Sequence, residues 1–261
     1  MTVPAAASPA WVDTHAHLFL MEDEPDRVLD RARDAGVDWL LCPGVDVASS
    51  RRSRALADRL PDRVLWSAGL HPHSAADWPA AADEIAELAI DADAIGECGL
   101  DWYRNLASRE DQVLAFREQL DLAADLDKPV IVHCRDAFRD VFEMLAEADL
   151  GARAVLHCWT GGPKWTKRFR ELDVTFSFAG PLTYPTGETL RLAARHAPRD
   201  RTMLETDSPY LTPEPLRGRA NEPANVSLIG AALGQVWGVE IDEVARLTSE
   251  TAARVFGLPR G

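Results

Sequence analysis

"SREDQVLAFREQLDLAADLDKPVIVHCR", residues 108–135, contains one helix-then-strand unit. Its first part (108–127) sets Val113, Phe116, Leu120 and Ala123 or Ala124 at helical spacing with charges between them, which predicts an amphipathic helix. The short apolar run "PVIVHCR" (129–135) predicts a buried strand that ends in His133, with Arg135 two residues on. The same alternation recurs along the whole chain. Strand-like runs are "WVDTHAH" (11–17), "VDWLLCPG" (37–44), "VLWSAGLH" (64–71), "DAIGECG" (93–99), "ARAVLHC" (152–158), "VTFSFAG" (174–180) and "RTMLETD" (201–207), eight with the first. Helical segments such as "DRVLDRARDAG" (26–36) separate them. Strict alternation implies parallel strands joined by right-handed crossovers. An open doubly wound sheet uses the same alternation, but eight units in about 250 residues fit a closed (β/α)8 TIM barrel. The tail "IDEVARLTSETAARVFGL" (241–258), with Ile241, Val244, Leu247, Ala252 and Val255 on one stripe, is expected to pack against the barrel as final helices.

Composition narrows the class. At 261 residues and 46% apolar, the chain can bury a sizeable core. No linker or low-complexity tract divides it, so residues 11–261 read as a single domain after a loosely ordered lead-in, 1–10, "MTVPAAASPA". That lead-in lacks the basic and apolar regions of a signal peptide. No apolar run approaches the ~18 residues of a membrane span. Cys42, Cys98, Cys134 and Cys158 show no CxxC spacing and read as free, buried thiols, so a cytoplasmic protein is expected. Asp plus Glu number 42 against 28 Lys plus Arg, a net charge of −14. Binding of polyanions through overall charge is thereby excluded, although bound metal ions can create a local positive site.

The ends of the strand-like runs are unusually polar. His15 and His17 close the first, His71 and His73 follow the third, Glu97 lies on the fourth, His133 and Arg135 on the fifth, His157 on the sixth, and Glu205 and Asp207 on the eighth. In a barrel these ends converge on one mouth, where catalytic groups gather. His15 and His17, two apart on a strand, would share one face. Buried together without a cation, these groups would leave unpaired polar atoms costing roughly 1–3 kcal/mol each. Six ligands (His15, His17, Glu97, His133, His157 and Asp207) exceed the needs of one catalytic zinc and suit two divalent ions bridged by a carboxylate. Glu97, inside the apolar Gly-rich run "AIGECGLD", is the candidate bridge; the alternative is a buried ion pair with Arg135. Asp207 is the candidate general base, the alternative being a turn or N-cap residue. Glu205, one step deeper, is placed to orient a histidine. His196, near a predicted helix end, reads as a structural, partly cationic imidazole.

The pieces "DTHAHL" (13–18), "GLHPH" (69–73), "IGECGLDWY" (95–103), "VIVHCRDA" (130–137), "HCWTGG" (157–162), "SFAGPLTY" (177–184), "ETDSPYLTP" (205–213) and "RGRANEP" (217–223) resemble, in order, the motifs of the TatD family of metal-dependent hydrolases, within the amidohydrolase-like barrels. The resemblance implies a two-metal, magnesium-dependent deoxyribonuclease, with Zn²⁺ or Mn²⁺ also suited to the imidazoles. It assigns His15, His17 and Asp207 to one ion, Glu97 to both, and His133 with His157 to the second. It also favours 3′–5′ exonuclease action on DNA or a short oligonucleotide, by a monomer or weak oligomer with no obligate protein partner. Thr251 stands where the family often has asparagine, a position expected to concern helix packing. In this reading Asp207 takes a proton from the attacking water, and Arg135 and His71 steady the phosphate or the leaving oxygen, the alternatives being a partner to Glu97 for Arg135 and a turn residue after the third strand for His71; His73 is the less defined neighbour. Arg217 and Arg219 are basic groups near the mouth, whereas Lys164, Lys167, Arg168 and Arg170 suit a solvated helix face. Trp102 and Tyr103 either stack on bases or pack the loop. The competing readings are an ester or amide hydrolase on the same site, such as a D-aminoacyl-tRNA deacylase, a phosphotriesterase- or lactonase-like enzyme, and a non-catalytic metal-binding protein.

Overall fold

The helix predicted from residues 108–127 forms at Arg109–Asp125 (α4) and leads into the strand Val130–Arg135 (β5) of one eight-stranded parallel sheet. Ser108 caps α4 by accepting the Asp111 backbone N–H, and Glu110 and Asp111 oppose the positive end of the helix dipole. Phe116, Leu120 and Ala123 are its buried stripe, as the spacing predicts, while Ala124 faces solvent. The computed structural model describes residues 10–258, so the expected lead-in lies outside the described residues except for Ala10.

The other strands are Trp11–Asp13 (β1), Val37–Cys42 (β2), Val64–Ala68 (β3), Ala94–Asp101 (β4), Ala154–Leu156 (β6), Thr175–Phe178 (β7) and Thr202–Leu204 (β8). They neighbour one another in chain order, β1 to β8. Helices Pro25–Asp34 (α1), Val47–Arg59 (α2), Trp78–Asp91 (α3), Phe138–Ala148 (α5), Gly162–Phe169 (α6), Glu188–His196 (α7) and Val226–Trp237 (α8) alternate with them, and Ile241–Phe256 (α9) follows. The ring closes just beyond the ends of β1 and β8. There Thr14 N–H donates to Leu204 O (3.0 Å), Asp207 N–H to His15 O (2.9 Å) and His17 N–H to Ser208 O (2.8 Å). The fold is the closed (β/α)8 barrel.

Two apolar layers result from strand alternation. Trp11, Leu40, Val64, Trp66, Val130, Val132 and Leu156 pack outward against helix residues such as Phe116, Val141, Leu145 and Phe169. Val12, Leu41, Leu65, Ala94, Ile131, Val155 and Met203 pack with one another and with Ala252, Phe256 and Leu258 at the end of α9. Ile131, Val155 and Met203 each stand two residues before a polar mouth residue: His133, His157 and Glu205. The apolar interior is thus the layer directly beneath the mouth.

β1 is shorter than its run of seven suggests, and His15 and His17 lie beyond it. The Asp13 side chain intervenes, accepting the backbone N–H of His15 (3.3 Å) and Thr206 (2.9 Å), so a carboxylate replaces the strand ladder. Thr251 is buried in α9, its hydroxyl bonded to Leu247 O (2.9 Å). Cys42, Cys98 and Cys134 are buried free thiols, but Cys158, at the mouth, is half-buried, which corrects the expectation of four buried ones.

Candidate metal centre

The local design of β4 turns Glu97 into the mouth. Gly96 (φ 117°) and Gly99 (φ 138°) adopt backbone conformations that side chains disfavour, and the β4–β5 register shifts between Ile95 and Cys98. A Cβ on Gly99 would stand 2.0 Å from the His133 carbonyl oxygen, so only glycine lets β5 approach this closely. The two strands thereby bring Glu97 and His133 together.

Glu97 is buried at the centre of the site, and its two oxygens face different groups. Oε2 lies 3.2 Å from His15 Nε2 and 3.8 Å from His17 Nε2. Oε1 lies 3.0 Å from His157 Nε2 and 3.2 Å from both His133 Nδ1 and His71 Nε2. On the Oε2 side the Nε2 atoms of His15 and His17 are 3.2 Å apart, and Asp207 Oδ1 approaches them at 3.9 and 3.4 Å. On the Oε1 side His157 Nε2 and His133 Nδ1 are 3.4 Å apart.

These atoms face one another with too few protons to share. His15, His17 and Asp207 offer one ligand atom each within 4.8 Å of one another, as do His15, Glu97 and His157. The buried Nδ1 atoms of His15 and His17 and Glu205 Oε2 have no hydrogen-bond partner among the described residues. Imidazole and carboxylate donors so arranged fit divalent cations on both sides of Glu97.

Carboxylates behind the histidines fix which nitrogen points inward. Glu205 Oε1 lies 3.2 Å from His157 Nδ1, so that nitrogen donates to it and Nε2 turns its lone pair to the centre. Asp101, fully buried, does the same for His133. Its Oδ2 accepts from His133 Nε2 (3.2 Å) and faces His73 Nε2 (2.8 Å), while its Oδ1 accepts the backbone N–H of Tyr103 and Arg104. His71 is of the opposite kind. Its Nδ1 accepts the His73 backbone N–H (3.1 Å), so Nε2 carries the proton and donates to Glu97. His71, Glu97 and His133 lie close enough to suggest another cation position, yet both His71 nitrogens are already engaged. His71 is therefore a hydrogen-bond donor at the edge of the site, while His73, partly exposed, lies further out behind Asp101.

Charge follows the geometry. Burial opposes ionisation of Glu97, but the surrounding imidazoles, His157 and His71 foremost, hold its carboxyl well below the usual range. Burial likewise disfavours cationic His157 and His133, yet Glu97 with Glu205 raises the first well above its ordinary value, and Asp101 with Glu97 raises the second. The pocket thus demands positive charge. Burial also works against an ionised Asp207, but His17 and His15 outweigh it and shift the carboxyl downward. Burial pushes His71 down to about 4, consistent with a neutral donor. Asp13, by contrast, is pushed up to about 7 by burial and ties β1 to β8 rather than facing the centre.

The remaining candidates divide. Arg135 does not pair with Glu97; its guanidinium lies 4.1 Å from the Tyr103 ring centroid. Trp102 packs, donating from Nε1 to Asp140 (2.7 Å) beneath Arg109, whereas Tyr103 is 60% exposed. Arg168 covers Phe142 on the outer face of the helices. His196 ends α7 as expected, while burial, Lys167 and Arg170 shift its pKa downward, which works against a cationic imidazole there. Asp101 escaped the sequence reading; the available signal was a carboxylate following the Gly-rich run of a buried strand.

A closed parallel barrel with imidazoles and carboxylates converging at the carboxyl ends of its strands defines the class of (β/α)8-barrel proteins with a candidate metal centre at the mouth. Residues 12–257 match the family model described as TatD related DNase, and the chain belongs to that family. It is 33% identical over 254 residues (94% of this chain, 98% of the relative) to the uncharacterized metal-dependent hydrolase YabD of Bacillus subtilis. It is 36% identical over 247 residues (91% and 95%) to the 3′-5′ ssDNA/RNA exonuclease TatD of Pectobacterium parmentieri. Among solved structures, the TatD homolog YJJV of Escherichia coli superposes with a TM-score of 0.89 at 27% identity, covering 95% of this chain and 98% of that one. The chain is accordingly a hydrolase. No described helix is long and apolar enough to cross a membrane.

Proposed function

We propose that the chain is a metal-dependent nuclease that hydrolyses phosphodiester bonds at the 3′ end of single-stranded nucleic acid. The observation that carries this reading is the division of Glu97, one oxygen toward His15, His17 and Asp207, the other toward His133 and His157. His15, His17, Asp207 and Glu97 would hold one divalent ion, and Glu97, His133 and His157 the other. Mg²⁺ is the ion the family resemblance favours, and the imidazoles also suit Zn²⁺ or Mn²⁺. Two such ions, when bound, withdraw charge from a phosphate and make water a stronger acid.

The chain's own groups supply the rest. Asp207, with its pKa shifted downward and its side chain partly open to the mouth, accepts the proton of the attacking water. Glu205 and Asp101 keep the His157 and His133 lone pairs aimed inward throughout. His71 donates its Nε2–H to Glu97 and so holds that carboxylate in place at the edge of the site.

The test pairs elemental analysis of the purified protein with hydrolysis of a 3′-labelled single strand and of an aminoacyl ester under each metal. Retained metal and strand shortening from the 3′ end are expected. Cleavage of the aminoacyl ester alone would replace this reading with the deacylase one. Asp207→Asn is expected to lower kcat on the order of 10²–10⁴-fold, and full activity in that variant would remove Asp207 as the base.

A further inference from the structure

The chain has three tyrosines, and all three stand on loops that leave the mouth ends of strands: Tyr103 after β4, Tyr184 after β7 and Tyr210 after β8. Two carry an arginine from the next strand or its loop. The Arg135 guanidinium lies 4.1 Å from the Tyr103 ring centroid, and that of Arg217 lies 4.2 Å from the Tyr184 centroid. Tyr103 remains 60% exposed despite this cover, so most of its ring is open to solvent; Tyr184 is half-buried and Arg217 exposed. Tyr210, 54% exposed, sits closer in, its ring centroid 6.2 Å from that of His17. Neither Arg135 nor Arg217 forms an ion pair among the described residues, in a chain with a net charge of −14.

We infer that the Tyr103–Arg135 and Tyr184–Arg217 pairs are two platforms that receive a single nucleic-acid strand at the mouth of the barrel, each ring stacking a base and each guanidinium meeting a phosphate. This rests on the nuclease reading and names how its substrate is held. A tyrosine face that solvent reaches takes any base, because every base has a π-face, and it requires that base to be unpaired. A duplex keeps its bases stacked inside and offers these rings nothing. A guanidinium already lying on an aromatic face is held in place before the substrate arrives, so less of its freedom is lost on contact. The rest of the acidic surface repels a polyanion, which confines the strand to the mouth. The placement of the pairs follows the barrel: the loop after β4 and the end of β5 carry one, and the loops after β7 and β8 carry the other.

The experiment measures KM for a short oligothymidylate, and for a blunt duplex of equal length, on the metal-loaded protein. Tyr103→Ala and Tyr184→Ala are each expected to raise KM for the single strand roughly 5- to 100-fold. Tyr103→Phe and Tyr184→Phe are expected to keep the original KM, because the ring suffices. The preference for single strand over duplex should narrow in the alanine variants. Arg135→Gln and Arg217→Gln should each flatten the slope of log KM against log salt by about 0.7. Circular dichroism and Tm establish that each variant is folded, and Leu114→Ala, an exposed change on α4, is the control. If the original protein cleaves no strand, the nuclease reading fails. If it cleaves the strand while both alanine variants keep KM within twofold, the platforms are overturned and the nuclease reading stands.

Discussion

Asp101 exposes only its effects. One oxygen holds the following loop through two backbone N–H groups, and the other orients His133 and His73. Asparagine at this place would leave the loop contacts possible but present an amide N–H to His133 Nε2. The ring would then carry its proton on Nδ1, aimed at the centre. Asp101→Asn is therefore expected to lower affinity for the ion beside His133 by about 10- to 100-fold, read by calorimetric metal titration. Nitrogen-15 shifts of the His133 ring should report the exchanged tautomer; an unchanged tautomer with unchanged affinity would sink the assignment. His15, His17, Glu97, His133, His157 and Asp207 were legible in the sequence because polar side chains at the ends of apolar runs cost free energy to bury unless a cation gathers them. Asp101 and the Tyr–Arg pairs were not, because each depends on a contact between loops that no local period encodes.

At the scale of the element, β4 carries the site through its glycines. Gly99→Ala would set a methyl against the His133 carbonyl and also strain a backbone at φ 138°. The expected cost is roughly 2–4 kcal/mol, measured as a drop in the denaturation midpoint, with loss of metal affinity as β5 moves away. α4 anchors the same region from behind. Gln119 accepts Leu70 N–H (2.8 Å) and donates to Leu70 O, while Gln112 accepts Asp101 N–H (2.9 Å). In the sequence these glutamines look like ordinary polar positions on an amphipathic helix, since helical period says which face is buried but not which backbone it meets. The helices themselves were readable from stripe and cap. Strand lengths were overestimated because side chains such as Asp13 take over the backbone donors where the ladder ends.

For the whole molecule, metal and pH act together. His133 and His157 have folded pKa values raised above their unfolded ones, since Glu97, Asp101 and Glu205 outweigh burial. Their contribution to the metal-free protein is fully present below the unfolded value near 6.5 and is lost as pH rises through the folded values. Metal needs these imidazoles neutral, so its affinity rises with pH over the same window. The stabilisation by added metal should thus be small near pH ~5 and large near pH ~8. At free metal about one hundred times its Kd it is worth about 2.7 kcal/mol, a Tm rise of roughly 5–10 °C for a chain of this size. A calorimetric scan at both pH values checks this, and an equal rise at the two would contradict it. The barrel as a whole was legible because its repeat is written eight times. Its closure was less so, because the bonds joining the first and last strands come from residues beyond β1 and, Leu204 apart, beyond β8.

The packing of α9 beneath the barrel has a temporal meaning for a chain made from one end to the other. Phe256 and Leu258 sit in the same apolar layer as Val12 and Met203, and Asp207 meets His15 only where the first and last strands join. During synthesis, every proposed ligand emerges well before the floor that supports them. A nascent chain holding all six would still lack a sealed interior. The apolar floor beneath the proposed ligands is thus completed by residues that follow all six of them in the chain.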